Sequence, residues 1–220
     1  MPRMPRMPHE PDHHLKGSEV RLWKLIEERT APGADVARID QRIWDLFGEE
    51  WAIMFTDLSG FSRQVAAFGI IHFLQVIFEQ KRLLLPIAAH NDGILIKVEA
   101  DSFMIIFKRA SSAVRCALEM QYACQDYNEG RLPEERVLLC VGIGFGRMLR
   151  IDDSDVYGVE VNAASKLGED TAKANEILVT AAVRSAASDV PDIAFDELGI
   201  AVPGSDMNYR VVYPPLAHKT

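Results

Sequence analysis

Two short apolar runs, residues 94–99 and 103–107, constrain the fold most strongly because so little chain separates them. Both runs are rich in β-branched and aromatic side chains, and only a tight hairpin joins two strands over so short a connection. Asp101 lies in the turn of this predicted hairpin. The chain must therefore contain an antiparallel strand pair with a carboxylate at its tip.

The segments on either side of the hairpin define an element order. The run WAIMFT at residues 51–56 predicts a buried strand that stops at Asp57, and residues 136–145 predict another strand. Residues 61–89 and 111–127 have the apolar spacing of helices. The order β-α-β-β-α-β indicates an α+β fold with a ferredoxin-like βαββαβ core, in which an antiparallel sheet carries its helices on one face.

The two predicted core helices carry residues that indicate their burial and their ends. Residues 70–78 are apolar on nearly every face, which is typical of a helix buried on more than one side, for example at a subunit interface. Pro86 should kink or end that helix because proline lacks a backbone donor. Ser111 is a candidate cap for the next helix.

The core lies within a longer chain whose ends differ in character. Residues 1–17 predict a disordered tail with four prolines and a Met-Pro-Arg repeat, and residues 18–50 predict a helical lead-in. Residues 51–215 form the predicted domain. Its C-terminal part contains the expected short strands 177–179, 193–195 and 209–213, and a helix that begins at Ala181.

Charge and cysteine content exclude several classes of partner. The formal net charge is −8, so the field of the whole molecule repels nucleic acid and anionic membranes. No apolar run is long enough for a membrane helix, so we expect no membrane insertion. Cys116, Cys124 and Cys140 are odd in number and lie in apolar stretches, which favours buried thiols in a reducing compartment and a cytoplasmic protein.

Asp57 and Asp101 are the first candidates for chemistry. In a βαββαβ sheet the first strand neighbours the central hairpin, so these two side chains can converge. Paired carboxylates suit hard cations such as Mg²⁺, and the backbone carbonyl of Leu58 could add a ligand. The alternative is that each aspartate only caps a turn.

Three ordered motifs resemble those of the class III nucleotidyl cyclases. They are FTDLSGFS at the end of the first strand, KVEADSF in the hairpin and DVYGVEVNAASKL further along. The resemblance implies conversion of a nucleoside triphosphate to a cyclic nucleotide with two divalent cations, Mg²⁺ or Mn²⁺. It implies that Asp57, Asp101 and the Leu58 carbonyl hold these metal ions.

The resemblance also implies substrate-binding and catalytic residues. Lys97 and Asp155 match the two positions that read the purine, and both residue types indicate ATP and an adenylate cyclase. Asn162 matches the asparagine that orients the ribose, and Lys166 stands where the family usually has a catalytic arginine. Because the family divides these groups between two subunits, a chain carrying all of them should form a homodimer. Without the motifs, Lys97, Asp155 and Lys166 are ordinary surface charges.

The chain departs from the family pattern in ways that favour a second hypothesis. Lys166 lacks the planar fork of arginine, and Ala100 replaces the usual glycine before Asp101. The segment LGIAVPGSDMNYRVVY lacks the family's phosphate-binding lysine. Basic residues that could substitute for it are Arg147, Arg150, Arg184 and Arg210. The alternative function is a weak or inactive module that binds a nucleotide or an unidentified regulatory partner.

The segment GIGFGR at residues 142–147 resembles a phosphate-binding loop. It lacks the last glycine of GxGxxG and lies within a predicted strand, so close packing of the backbone is the better interpretation.

Overall fold

A computed structural model describes residues 17–215, apart from the side chains of residues 61–64. The predicted tail, including its three histidines, lies almost entirely outside this range. The chain divides into two compact units, with the boundary between Leu46 and Phe47. The first described unit contains the helix α1 (Gly17–Thr30) and most of α2 (Val36–Phe47).

The second unit is built around one sheet. Its helices are α3 (Phe61–Phe68), α4 (Ile70–His90), α5 (Ala110–Asn128), α6 (Val159–Ser165), a π-helix (Lys166–Thr171) and α7 (Ala181–Ala186). Its strands are β1 (Gly48–Leu58), β2 (Ile94–Glu99), β3 (Ser102–Phe107), β4 (Leu139–Ile151), β5 (Asp155–Tyr157), β6 (Ile177–Thr180), β7 (Ala194–Glu197) and β8 (Asn208–Val212).

The strand order is β2-β3-β1-β4-β6-β8-β7, and β5 pairs with β4. The four strands of the predicted core, β1 to β4, pair only in antiparallel fashion among themselves, which confirms the α+β fold. Beyond that core, β6 runs parallel to β4. The short strand β5 was not predicted because three residues carry too little periodicity to be seen.

Strand β1 is buried on both faces, which explains its continuous apolar run. Ala52 and Met54 pack in a core formed with α4 and α5, whereas Ile53 and Phe55 point to a second core formed with α6. The helices of the βαββαβ core therefore cover one face, as expected. Helix α6, which follows that core, covers the other face.

The region predicted as one helix over 61–89 contains a break. Gly69 has φ 84°, a value that favours glycine, and separates α3 from α4. Pro86 does not end α4, which continues to His90. Ser111 does not cap α5 because the cap residue is Arg109; the Ser111 hydroxyl instead accepts a hydrogen bond from Arg115.

The glycines of GIGFGR allow close packing of backbone, as the sequence indicated. A Cβ atom added to Gly142 would lie 2.2 Å from the carbonyl oxygen of Ala164 and 2.2 Å from the nitrogen of Gly168. The end of α6 and the π-helix therefore sit directly on β4. This close contact fixes the short distance between the π-helix and the sheet.

All three cysteines are free and buried. Burial raises the pKa of the thiols of Cys116, Cys124 and Cys140 to about 12. Within residues 17–215, no helix combines the length and apolar character that crossing a membrane requires.

We predict that Gly142→Ala destabilises the protein by about 3 kcal/mol, because the added methyl group meets backbone atoms that cannot move independently. Gly17→Ala is the control, since a Cβ there has no described atom within 4 Å. Urea denaturation of both variants measures the effect. Equal unfolding midpoints for the two variants would contradict the packing argument.

Candidate active site

The register of β1 against β3 places two carboxylates side by side. Thr56 pairs with Phe103, so the following residue, Asp57, lies opposite Ser102. The Ser102 hydroxyl donates a hydrogen bond of 3.2 Å to Asp57 Oδ1. Asp101, in the two-residue turn between β2 and β3, interacts with Asp57 and with the backbone N–H of Leu58. The structure thus brings Asp57, Leu58 and Asp101 together.

Burial disfavours the ionised forms of both aspartates, and the charge of Asp101 further disfavours that of Asp57. Burial raises the pKa of Asp57 to about 6, and the nearby charge of Asp101 adds to this effect. Burial also raises the pKa of Asp101, whose side chain is buried and whose Oδ2 atom has no hydrogen-bond partner among the described residues. A cation at this position would stabilise both charged forms and engage the unpartnered oxygen.

This donor set fits a hard divalent cation. Carboxylate oxygens of Asp57 and Asp101 and the carbonyl of Leu58 are the ligand types that Mg²⁺ takes. Within residues 17–215, no cluster of three or more histidine, cysteine, aspartate or glutamate side chains forms a metal site. Such a site would therefore leave several coordination positions to water and substrate oxygens.

Sequence reasoning missed Gln80, which supports the turn that carries Asp101. The side chain of Gln80 is fully buried and donates a hydrogen bond of 2.7 Å to the Asp101 backbone oxygen. The sequence contains a signal for this role, because Gln80 is the polar member of a buried α4 stripe whose other members are Phe73, Val76, Ile77, Leu84 and Ala88. A polar residue within a core stripe needs a partner.

Ala100 confirms the expected departure at the turn. Its φ is 51°, in the left-handed region that costs a residue with a Cβ about 1–2 kcal/mol. Two-residue hairpin turns that require positive φ at their first position usually carry glycine there. The turn that presents Asp101 is therefore strained.

Lys97 and Asp155 meet although 58 positions separate them. Lys97 Nζ lies 2.6 Å from Asp155 Oδ2, and the two side chains are 34% and 23% exposed. The same oxygen accepts a hydrogen bond of 3.1 Å from Tyr157, and Asp155 Oδ1 accepts the N–H of Val156. This half-buried, oriented donor and acceptor pair could bind the edge of a purine.

Asn162 and Lys166 occupy consecutive turns of one helical segment. Asn162 is exposed on α6, and Lys166 begins the π-helix. The ammonium group of Lys166 pairs with Asp170 at 2.5 Å, and this pair raises the pKa of Lys166. π-Helical turns are frequent at functional sites, but no sequence pattern predicts this one.

Three of the basic residues considered for phosphate binding already have protein partners. Arg150 pairs with Asp153 at 2.6 Å, and Arg210 pairs with Glu176 at 3.0 Å. Arg184 lies over the ring of Tyr209 and donates to its hydroxyl. The fourth, Arg147, is exposed on β4 and also interacts with another group of the protein. The geometry does not select any of the four.

Comparison with known proteins establishes the family. The sequence profile of the adenylate and guanylate cyclase catalytic domain matches residues 48–210, so the chain belongs to that family. The sequence resemblance stated above is thereby confirmed.

Solved structures share this fold. An adenylate/guanylate cyclase/hydrolase from Silicibacter pomeroyi superposes with a TM-score of 0.68 at 26% identity, covering 76% of this chain and 98% of that one. The adenylyl cyclase CyaB from P. aeruginosa superposes with a TM-score of 0.64 at 24% identity, covering 76% and 95%.

One similar curated protein is much longer. A serine/threonine-protein kinase, pkn2 of Myxococcus xanthus, is 25% identical over 152 residues, which are 69% of this chain. The chain spans only 18% of that protein's length.

We predict that Asp57→Asn changes the pH dependence of stability in metal-free buffer. Because the folded-state pKa is about 6, above its ordinary value of 3.8, wild-type protein loses stability as the pH rises from about 4 through 6. The variant lacks this loss. Its stability relative to wild type should increase by about 1–3 kcal/mol between pH 4.5 and 7.5. Urea denaturation with EDTA measures it, and a pH-independent difference would contradict the assignment.

Ala100→Gly should stabilise the protein by about 1 kcal/mol, because glycine removes the strain at positive φ. Ala66→Gly is the matched control. Ala66 is exposed in α3 and should lose about 0.5–1 kcal/mol. Denaturation midpoints that move in the same direction for both variants would show that the turn is not strained.

Proposed function

We propose that the protein is an adenylate cyclase that converts ATP to 3′,5′-cyclic AMP and pyrophosphate at an interface between two copies of the chain. The observation that carries this proposal is the pairing of Asp57 with Asp101 in the same chain as the pairing of Lys97 with Asp155. The first pair suits metal ions and the second suits a purine. Family membership supports a nucleotide cyclase, and the second pair supports ATP in particular.

Lys97 and Asp155 would distinguish adenine from guanine. The ammonium group of Lys97 can donate to adenine N1, and the carboxylate of Asp155 can accept the exocyclic amine. Guanine presents an N–H and a carbonyl at the corresponding positions, so both contacts would be mismatched. Adenine binding requires Lys97 and Asp155 to give up part of their mutual contact of 2.6 Å.

The reaction forms a bond between the ribose 3′-oxygen and the α-phosphorus, breaks the bond from that phosphorus to the pyrophosphate oxygen, and releases the hydroxyl proton. Asn162 would orient the ribose, and Lys166 would stabilise the negative charge that develops on the phosphates. Asp57, Asp101 and the Leu58 carbonyl would hold two divalent cations, which supply charge neutralisation and lower the pKa of the attacking hydroxyl.

A homodimer would bring the metal-binding residues of one copy to the nucleotide-binding residues of the other. Helix α4 exposes an apolar stripe suited to such a contact: Ile71 is 77% exposed, Phe78 is 63% exposed, and Leu74 lies between them on the same face. Exposed contiguous apolar surface of this kind is typical of an interaction site. The cytoplasmic location remains a prediction from the reduced cysteines.

A second function is favoured by the strain at Ala100 and the pairing of Lys166 with Asp170. Both features weaken groups that the cyclase reaction uses. The protein could instead bind a nucleotide or a regulatory partner and signal through that association with little turnover. In that case the domain at residues 51–215 would be a binding module.

A product assay separates the two functions. Purified protein with Mn²⁺ and ATP should form cyclic AMP, GTP should be a poor substrate, and Asp101→Asn should abolish the product. A mixture of equal amounts of Asp101→Asn and Asn162→Ala chains, allowed to exchange, should recover about one quarter of the activity, because half of the dimers carry one intact site. If no product forms above the level of a boiled control, the cyclase function is wrong and the alternative function as a binding module is favoured.

Lys166→Arg should raise the turnover rate several-fold, because guanidinium can hold two phosphate oxygens at once. The matched control is Lys173→Arg, an exposed lysine just beyond the π-helix that should not respond. Initial rates at saturating ATP measure the effect. An unchanged rate for Lys166→Arg would remove this residue from the catalytic assignment.

A further inference from the structure

Glu160, in the first turn of α6, joins three elements through one carboxylate oxygen. Its Oε2 atom accepts the backbone N–H of Phe145 on β4 at 3.0 Å. The same oxygen accepts the hydroxyl of Thr180, the last residue of β6, at 2.8 Å. Helix α6 is thus tied to two strands at its start.

The Phe145 N–H needs this partner because of where β6 ends. On this side of β4, the N–H of Val141 donates to Glu176 at 3.0 Å, and the ladder with β6 continues to the pair Ile143 and Val179. Phe145 lies two residues further along β4 on the same side, where β6 has given way to α7. The Glu160 carboxylate takes the place of the missing strand carbonyl.

The sequence leaves room for this contact. A Cβ on Gly144 would lie 2.4 Å from the Glu160 backbone oxygen and 3.0 Å from its Oε2 atom. Glycine at this position therefore lets both the backbone and the carboxylate of Glu160 approach β4. The carboxylate fixes the position of α6, since only this placement of the helix lets Glu160 accept both the Phe145 N–H and the Thr180 hydroxyl.

We propose that Glu160 is a positioning residue for the nucleotide-binding side of the active site. It fixes the start of the segment that carries Asn162 two residues later and Lys166 six residues later. The catalytic consequence of this inference rests on the proposed function, whereas the hydrogen bonds of Glu160 do not depend on that function. In this proposal Glu160 touches neither substrate nor metal and acts by fixing the position of α6.

The test compares Glu160→Ala, which removes the acceptor, with Glu160→Gln, which keeps an acceptor oxygen. Thr180→Val removes one donor while preserving side-chain shape, and it serves if Glu160→Ala fails to fold. Hydrogen–deuterium exchange is followed in residues 159–171 and, as an internal reference, in the hairpin 94–107. Steady-state kinetics with Mn²⁺ and ATP give kcat and KM separately.

Glu160→Ala should raise exchange in residues 159–171 by about tenfold or more and leave the hairpin unchanged, because the loss of a tie acts locally. It should lower kcat by about tenfold with KM for ATP within about twofold, since Lys166 is proposed to act on the transition state. Glu160→Gln should recover most of both losses. Thr180→Val should change both in the same direction by a smaller factor.

Equal rises in exchange in both segments would show a merely structural residue and overturn the proposal. So would unchanged exchange in residues 159–171, or a Glu160→Gln variant as impaired as Glu160→Ala. If wild-type protein makes no cyclic nucleotide, the proposed function fails, and the exchange pattern alone still decides whether Glu160 holds α6.

Discussion

The register between β1 and β3 is the constraint on which the candidate site depends. Side chains alternate between the faces of a strand, so a slip of one residue would turn Asp57 away from the turn that holds Asp101. Two features prevent that slip: the Thr56 hydroxyl accepts the Phe103 N–H at 3.2 Å, and β1 is packed against a core on each face. The apolar cores thus enforce an acidic pair that is unfavourable by itself.

The cations proposed to bind substrate already have partners within the chain: Lys97 pairs with Asp155, and Lys166 pairs with Asp170. Arg210, a candidate for phosphate binding, pairs with Glu176. Each cation is therefore held by a carboxylate, in a chain with a net charge of −8. An anionic nucleotide would compete with internal acidic groups, so binding would exchange one set of ion pairs for another. This exchange favours ligands that donate hydrogen bonds to the released carboxylates and also pair with the cations.

Much of the fold follows from local sequence pattern. The β2–β3 hairpin was predictable because its runs are β-rich and its connection is short, and β1 because its apolar run matches a strand buried on both faces. The break at Gly69 was missed because apolar residues continue through it, and the path of α4 beyond Pro86 depends on tertiary packing. Parallel pairing of β6 with β4 is a long-range contact that leaves no local pattern.

Some residues of the candidate site were likewise predictable from the sequence, and others were not. Asp57, Asp101, Lys97 and Asp155 could be proposed because their motifs occur in order along the chain. Gln80 and Glu160 could not, because each acts on a backbone group of a distant segment. Gln80 left a trace as a polar residue in an apolar stripe, whereas Glu160 looks like any acidic residue in the first turn of a helix. The π-helix packs on β4 through the contact between Gly142 and Gly168, and no helical periodicity reveals such a contact.

The buried cysteines have a practical consequence. Alkylating and disulfide-forming reagents react with thiolates, and thiols with a pKa of about 12 contain almost none at neutral pH. The native chain therefore provides a nearly silent background for thiol chemistry. Single cysteines introduced on the exposed face of α4 could be cross-linked or labelled selectively, without first removing Cys116, Cys124 or Cys140. Such variants would test the proposed contact between two copies through this face.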